Sequence, residues 1–281
     1  MAIVVGHRRT PRSLIHSRGS HDLAQMTLAQ FLFRIRPIEL AEMLKRILGI
    51  SYREVEVGGR TLWLDPASDF GNRLIENGTY ERDFTESLLR LLSPGGSFVD
   101  LGANEGWFSL VASEAVGPQG MVYVIEPQRR LWPVILQNFI LNKRTNYRLI
   151  PYAVGPAEGV VEMILHPSLN TGATTAVSDL RRRFFKRQKA AMLPLRRIME
   201  LYAIPKIDVL KIDIEGYELN ALRSLGPRLG DGSIAAIMIE FHEKQLAALG
   251  QSIEEIGLLL KGSGFSCRDG NVTVWTHKSR A

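Results

Sequence analysis

The chain has one cysteine, Cys267, among 281 residues, so no disulfide can close within it. That usage suits a reducing compartment. It also lacks any apolar run approaching the roughly 20 residues of a membrane-spanning helix. Ile3-Val4-Val5, just ahead of His7-Arg8-Arg9, is too short for a signal-peptide core. No internal repeat or low-complexity tract is present. These absences predict a cytoplasmic protein whose stability comes from a core, and a 45% hydrophobic content over this length suffices for one α/β domain with additions.

Evenly spread charge is missing too. Of the net +6, residues 1–48 carry eight Lys/Arg against three acids and residues 181–197 carry eight against none, so the remainder nets −7. An acidic body argues against general nucleic-acid binding and confines positive charge to two segments. Residues 1–21 are predicted to be a flexible basic tail. Within 22–78, helical spacing in Leu28, Phe31, Leu32 and Ile35 stops at Pro37 and resumes at Ile38, Leu40, Met43, Leu44 and Ile47, which predicts two helices. Strands over 52–57 and 61–64 around Gly58-Gly59 read as a hairpin. Thr79 is placed to cap a helix over 80–92, opening a domain of residues 79–281 with a basic insertion at 166–197.

The most informative stretch is Asp100-Leu101-Gly102-Ala103-Asn104-Glu105-Gly106-Trp107, where the buried-strand pattern Ser97-Phe98-Val99 breaks at glycines into a helix. Such a turn brings backbone close to a ligand and aims unpaired helix N–H groups at it. Glu126 ends the next strand pattern, Met121 to Ile125, about 20 residues on, the spacing of a ribose-binding carboxylate. A dinucleotide fingerprint wants glycine at the first, third and sixth positions of the turn; Gly102 is met by Asn104 and Trp107 at the other two. NAD is therefore disfavoured. S-adenosylmethionine fits better, because its amine and carboxylate can be bound by side chains such as Asn104 or Asp100, with Gly102 and Gly106 beside them and Tyr152 or Ala153, ending the third strand, beside the adenine.

From residue 98 onward strand and helix patterns alternate, with strands at 98–101, 122–126, 148–154, 209–214 and 235–241, which predicts a parallel doubly wound sheet. The last two strands, 265–268 and 272–276, flank Asp269-Gly270, a favoured hairpin turn, so the final strand should run antiparallel. The expected fold is α/β: a Rossmann-like class I methyltransferase with a mostly parallel seven-stranded sheet, a C-terminal antiparallel hairpin and a helical N-terminal extension. One strand stands out. Residues 207–216 read as central, yet alternation puts Lys211, Asp213 and Glu215 on one side of it. Buried charges must be paired or hydrated, and ligands bind at the carboxyl ends of such strands. The competing explanation is an ion pair that only fixes register. Glu240 and His242, alternate residues at the next strand's end, are placed to face the same crevice.

The segments Gly78-Thr79-Tyr80-Glu81, Phe98-Val99-Asp100-Leu101-Gly102-Ala103-Asn104-Glu105-Gly106, Ile125-Glu126-Pro127, Ala153-Val154-Gly155, Lys211-Ile212-Asp213-Ile214-Glu215-Gly216-Tyr217-Glu218 and Glu240-Phe241-His242 resemble the ordered motifs of the FkbM-type S-adenosylmethionine-dependent methyltransferases. The resemblance runs from about Arg53 to the C-terminus. It implies O-methylation of a natural product or glycan-like acceptor by a bacterial enzyme, and it adds Glu81 to the expected cofactor contacts.

An alcohol is a poor nucleophile at neutral pH, so methyl transfer to one needs a base or a metal. Asp213 is the expected base, Glu215 and Glu240 its neighbours, His242 a further candidate and Lys211 the counter-charge. Mg²⁺ on Asp213 and Glu240 would suit oxygen ligands, but no spacing compels a metal. Two other readings stay open: N-methylation of a protein or nucleic acid, weakened by the lack of an Asn/Asp-Pro-Pro-aromatic motif, and a cofactor-binding protein without turnover, weakened by the charged strand. The run Arg181 to Lys189 reads as a lid, a dock for an anionic acceptor, a peripheral membrane contact through Phe184 and Phe185, or simply a solvated helix face. The N-terminal helices are placed to cover the site or to form an oligomer, and Trp107 and Trp132 to pack near the turn.

Overall fold

The structure is a computed structural model that describes residues 32, 35, 38–172, 174, 185–268 and 273–280. The tail 1–21, Leu28, Phe31 and Pro37, residues 181–184 and the Asp269-Gly270 turn lie outside the described residues. Leu32 is helical and buried. Helix α1 (Ile38–Ile47) leads to a hairpin of β1 (Arg53–Val57) and β2 (Arg60–Leu64), paired antiparallel as the Gly58-Gly59 turn implies.

The helix expected over 80–92 forms, and a further helix that the sequence did not announce precedes it. An unforeseen α2 (Asp69–Asn77) starts at Ser68, whose Oγ accepts from Gly71 N at 2.9 Å, and stops at Gly78, where φ is 70°. Then α3 (Arg82–Leu91) begins after Glu81, with no side-chain cap, so Thr79 lies in the link and caps nothing. At the start of α2 the Ser68 hydroxyl satisfies an orphan helix N–H, whereas no side chain does so at the start of α3.

The alternation that follows is β3 (Ser97–Leu101), α4 (Trp107–Val116), β4 (Met121–Ile125), α5 (Trp132–Leu141) and β5 (Tyr147–Ile150), then β6 (Ala153–Val154), β7 (Gly159–Leu165) and β8 (Lys186–Leu193). After these come α6 (Leu195–Leu201), β9 (Ile207–Ile212), α7 (Glu218–Ser224), β10 (Ile234–Ile239), α8 (Glu243–Ala248), α9 (Ile253–Gly262), β11 (Phe265–Arg268) and β12 (Thr273–His277). The main sheet has seven strands in the order β11-β12-β10-β9-β3-β4-β5. Pairings from β10 to β5 are parallel, and β12 is antiparallel to both β10 and β11. This is the expected sheet, closed by the expected hairpin.

Strands covered on both faces need apolar residues on both, and β10 accordingly reads Ile-Ala-Ala-Ile-Met-Ile, all buried. Alternation along β3 sends Phe98 into a core shared with Leu64, Leu74, Leu88 and Leu110, and sends Val99 and Leu101 into the opposite core with Ile198, Leu222 and Leu260. The hairpin and α2 thus share a core with the sheet.

Two sequence expectations fail, one before the insertion and one within it. The strand expected over 148–154 breaks at Pro151, which has no N–H for the ladder, and β6 joins a separate three-stranded sheet in the order β6-β8-β7. Lys186 to Lys189 belong to β8, paired antiparallel with β7, so that part of the basic run is a strand and not a helix face. Phe185 packs edge-on against His166, centroids 5.0 Å apart. No helix among the described residues is long and apolar enough to cross a membrane.

Candidate active site

At the carboxyl edge of β3 the chain turns sharply. Gly102 has φ 76° and its N–H, like that of Ala103, donates to Ile125 O on β4. A Cβ at Gly102 would stand 1.8 Å from Asp213 O, so side chains are excluded where β3 and β9 converge. Glu126 spans this turn. Its Oε2 accepts from Asn104 N and its Oε1 from Gln128 N, each at 2.8 Å. Burial pushes the Glu126 carboxyl up to about 7, against the pull of those two amides.

Over the turn lies part of the insertion. Thr171 Oγ1–H donates to Asn104 Oδ1 at 2.9 Å, while Arg130 donates to His166 O at 2.6 Å and to Gln128 Oε1 at 2.8 Å. Sequence reading missed Gln128, Arg130 and Thr171, because polar residues in loops give no periodic signal. The turn, this strap and the ends of β9 and β10 enclose a cavity of about 320 Å³.

Gly102, Asn104, Glu126, Tyr152 and Ala153 line that cavity, as do Glu81, Lys211, Asp213, Glu215, Glu240 and His242. Two expected cofactor contacts do not. Asp100 is fully buried on the Phe98 face of β3, where its Oδ2 accepts from Ser109 Oγ at 2.6 Å and its Oδ1 lies 3.1 Å from Lys211 Nζ. Gly106 opens α4 against Ile135.

Lys211 is 1% exposed and pairs in register with Asp100. Its ammonium also lies 3.2 Å from Asp213 Oδ2 and donates to Gly102 O at 3.2 Å. Burial alone would lower the Lys211 pKa, but Asp100 and Asp213 overrule it and hold it above the usual lysine value. The expected alternation ends here. β9 stops at Ile212 and Glu215 adopts φ 53°, so Glu215 comes from a turn and not from the strand face. The turn still brings it to the cavity, where Gln245 Nε2 donates to its Oε2 at 2.9 Å.

His242 is the hub of the acidic end. Its Nδ1–H donates to Glu218 Oε1 at 2.9 Å, and its Nε2 lies 3.7 Å from Asp213 and 3.6 Å from Glu215. Burial would lower the imidazole pKa, yet the Glu218 hydrogen bond, then Glu215 and Asp213, raise it to about 9. Glu218 is fully buried and also accepts from Gly216 N. Its role was missed, although it closes the Lys-Ile-Asp-Ile-Glu-Gly-Tyr-Glu string. Glu240 is pushed up to about 7 by burial and by the charges of Asp213 and Glu81; Glu81 is raised by burial and by Asp213. Among the described residues no group of three or more His, Cys, Asp or Glu is arranged to hold a metal ion, Asp213 and Glu240 included.

The site can therefore grip a polyhydroxylated ligand at Glu126 and handle protons at Asp213, Glu240 and His242. Comparison with known proteins adds the following. The methyltransferase FkbM domain family matches residues 100–267. No curated protein matches the chain. Among solved structures, similarity is found to an rRNA methylase from Streptococcus thermophilus at 14% identity, covering 69% of this chain and 94% of that one with a TM-score of 0.41. A SAM-dependent methyltransferase from Aquifex aeolicus matches at 14% identity over 68% and 87%, TM-score 0.38. Trm5b from Pyrococcus abyssi matches at 14% identity over 81% and 56%, TM-score 0.44.

Proposed function

Because the chain belongs to the FkbM methyltransferase family, we propose that it moves a methyl group from S-adenosylmethionine to a hydroxyl of a small-molecule or glycan acceptor. One observation carries this reading: a single cavity holds Glu126, fixed across the glycine turn, together with the Asp213, Glu240 and His242 cluster. The residues fit the cofactor. Each Glu126 oxygen already accepts one backbone N–H and retains a second lone pair for a ribose hydroxyl. Tyr152 and Ala153 line the wall where an adenine would rest.

When bound, the cofactor supplies an electrophilic methyl on a sulfonium. Asp213 takes the acceptor's hydroxyl proton, and Lys211 and His242 hold its carboxylate from two sides. Glu240 and Glu81 make the acceptor end acidic, which favours neutral, hydroxyl-rich acceptors over phosphate-bearing ones.

Calorimetric titration with S-adenosylhomocysteine tests the cofactor. Glu126→Ala should weaken binding by roughly tenfold to a hundredfold, as charge-assisted hydrogen bonds are worth about 1.5–3 kcal/mol; equal binding by the variant refutes the ribose role. Tritiated methyl transfer into a cell extract, fractionated into small molecules, glycans, RNA and protein, tests the acceptor. Label confined to RNA or protein overturns this choice.

A further inference from the structure

The strap that crosses the glycine turn contributes Asn170, Gly172 and Thr174 to the cavity wall. Arg130 pins it at both ends, donating to His166 O at 2.6 Å and to Thr174 Oγ1 at 3.2 Å. Between those ends its hold on the turn is light. Thr171 Oγ1–H donates to Asn104 Oδ1 at 2.9 Å, and Gln128 Nε2 donates to Thr171 O at 3.5 Å, both of them bonds between neutral groups.

The back of the strap is held differently, by helix α1. Ser168 Oγ–H donates to Glu42 Oε1 at 2.8 Å, and the same hydroxyl oxygen accepts from Lys45 Nζ at 2.5 Å. Glu42 Oε1 also accepts from Leu169 N at 3.2 Å. Lys45 is in turn paired with Asp65, and both are buried. Hydrogen bonds to ionised groups are roughly twice as strong as neutral ones, so α1 grips the middle of the strap harder than the turn does. Leu169 adds an apolar anchor, inserting into a small core with Leu32, Ala41, Ile50 and Ala67 that is separate from the two cores flanking the main sheet. Glu42, Lys45 and Ser168 do not line the cavity, so whatever they do for a ligand they do through the strap.

We infer that α1 is the latch of this strap: Glu42 and Lys45, acting on Ser168, hold it closed over the cavity, and its release governs how fast the cofactor enters and leaves. This rests on the cofactor reading above. Ser168, Glu42 and Lys45 are positioning residues, and their effect should appear in rates more than in affinity. Without the latch the light bonds to the turn alone keep the strap shut, so the open form gains population and both entry and exit quicken.

Stopped-flow binding of S-adenosylhomocysteine, followed by tryptophan fluorescence, tests this in the full chain. Ser168→Ala removes both latch bonds and should raise the association and dissociation rates together, each by roughly tenfold, with Kd moving much less. Glu42→Gln should shift both rates in the same direction by less. Amide exchange at residues 168–172 should quicken in both variants while exchange in β3 and β9 stays as in the wild type. An association rate that is unchanged or lower overturns the inference, because an anchor that merely supports the site would speed release without speeding entry. If Ser168→Ala also quickens exchange in β3 and β9, its fold is damaged and the milder Glu42→Gln decides. If the wild type binds S-adenosylhomocysteine and neither variant moves the rates, only this inference fails. If the wild type does not bind it, the cofactor reading fails and the latch with it.

Discussion

Replacing Lys211 by Met removes the cation around which the site's floor is built. Lys211 is 1% exposed and Asp100 is fully buried, with 3.1 Å between Nζ and Oδ1. In Lys211→Met the Asp100 carboxylate keeps the Ser109 hydroxyl but loses its only salt-bridge partner among the described residues. Breaking a buried pair from one side typically costs about 3–5 kcal/mol, because the remaining charge is stranded. Against a total stability of about 5–15 kcal/mol, that is a large shift in urea midpoint. Adding Asp100→Asn should return much of the loss, since the amide carries no charge and its oxygen can still accept from Ser109. The folded-state pKa of Lys211 is raised, so its stabilising contribution is complete below the ordinary lysine value of about 10.4 and fades only as pH climbs through the raised value. A deficit under about 1 kcal/mol, or no recovery in the double variant, would refute the claim that this buried pair supports the floor of the site.

Two further outcomes follow from the same geometry. Asp213→Asn should lower kcat by roughly 10²–10⁴-fold on the true acceptor and leave S-adenosylhomocysteine affinity nearly unchanged, as expected for loss of a general base; near-full turnover would return Asp213 to a purely structural role. Glu218→Gln should bring the His242 imidazole well below its value of about 9, read by NMR titration of the ring protons. A His whose pKa is raised on folding stabilises fully below about 6.5 and loses that contribution as pH rises through about 9, so the variant's stability deficit should be greatest at acid pH and close toward pH 9. An unmoved imidazole titration would show that Glu218 does not set the charge of His242.

Much of this protein was written locally in its sequence. Strand and helix periods, the glycines of the Gly102 turn, the distance from that turn to Glu126 and the closing hairpin depend on neighbours along the chain, so the sheet and the turn that Glu126 spans were legible there. Helix α2 was not, because it is short, only Phe70, Leu74 and Ile75 mark its apolar face, and its start rests on one Ser68 hydroxyl.

What only the tertiary structure decided is which charges meet. A period of two assigns Asp100 to a face of β3, but the order of strands puts Lys211 beside it and takes it out of the cavity. The same period would have carried Glu215 along β9, whereas the chain turns at residue 213 and delivers it by another route. His242 and Glu218 are 24 residues apart, and Thr171 is 67 from Asn104. Such pairs have no sequence signature, since a hydrogen bond between distant loops depends on where the folded strands leave their ends. The sequence determined that β3 breaks at a glycine turn with an acid at the end of the next strand; the packing of that edge determined that Asp100 supports its floor while Asp213 and His242 line the cavity.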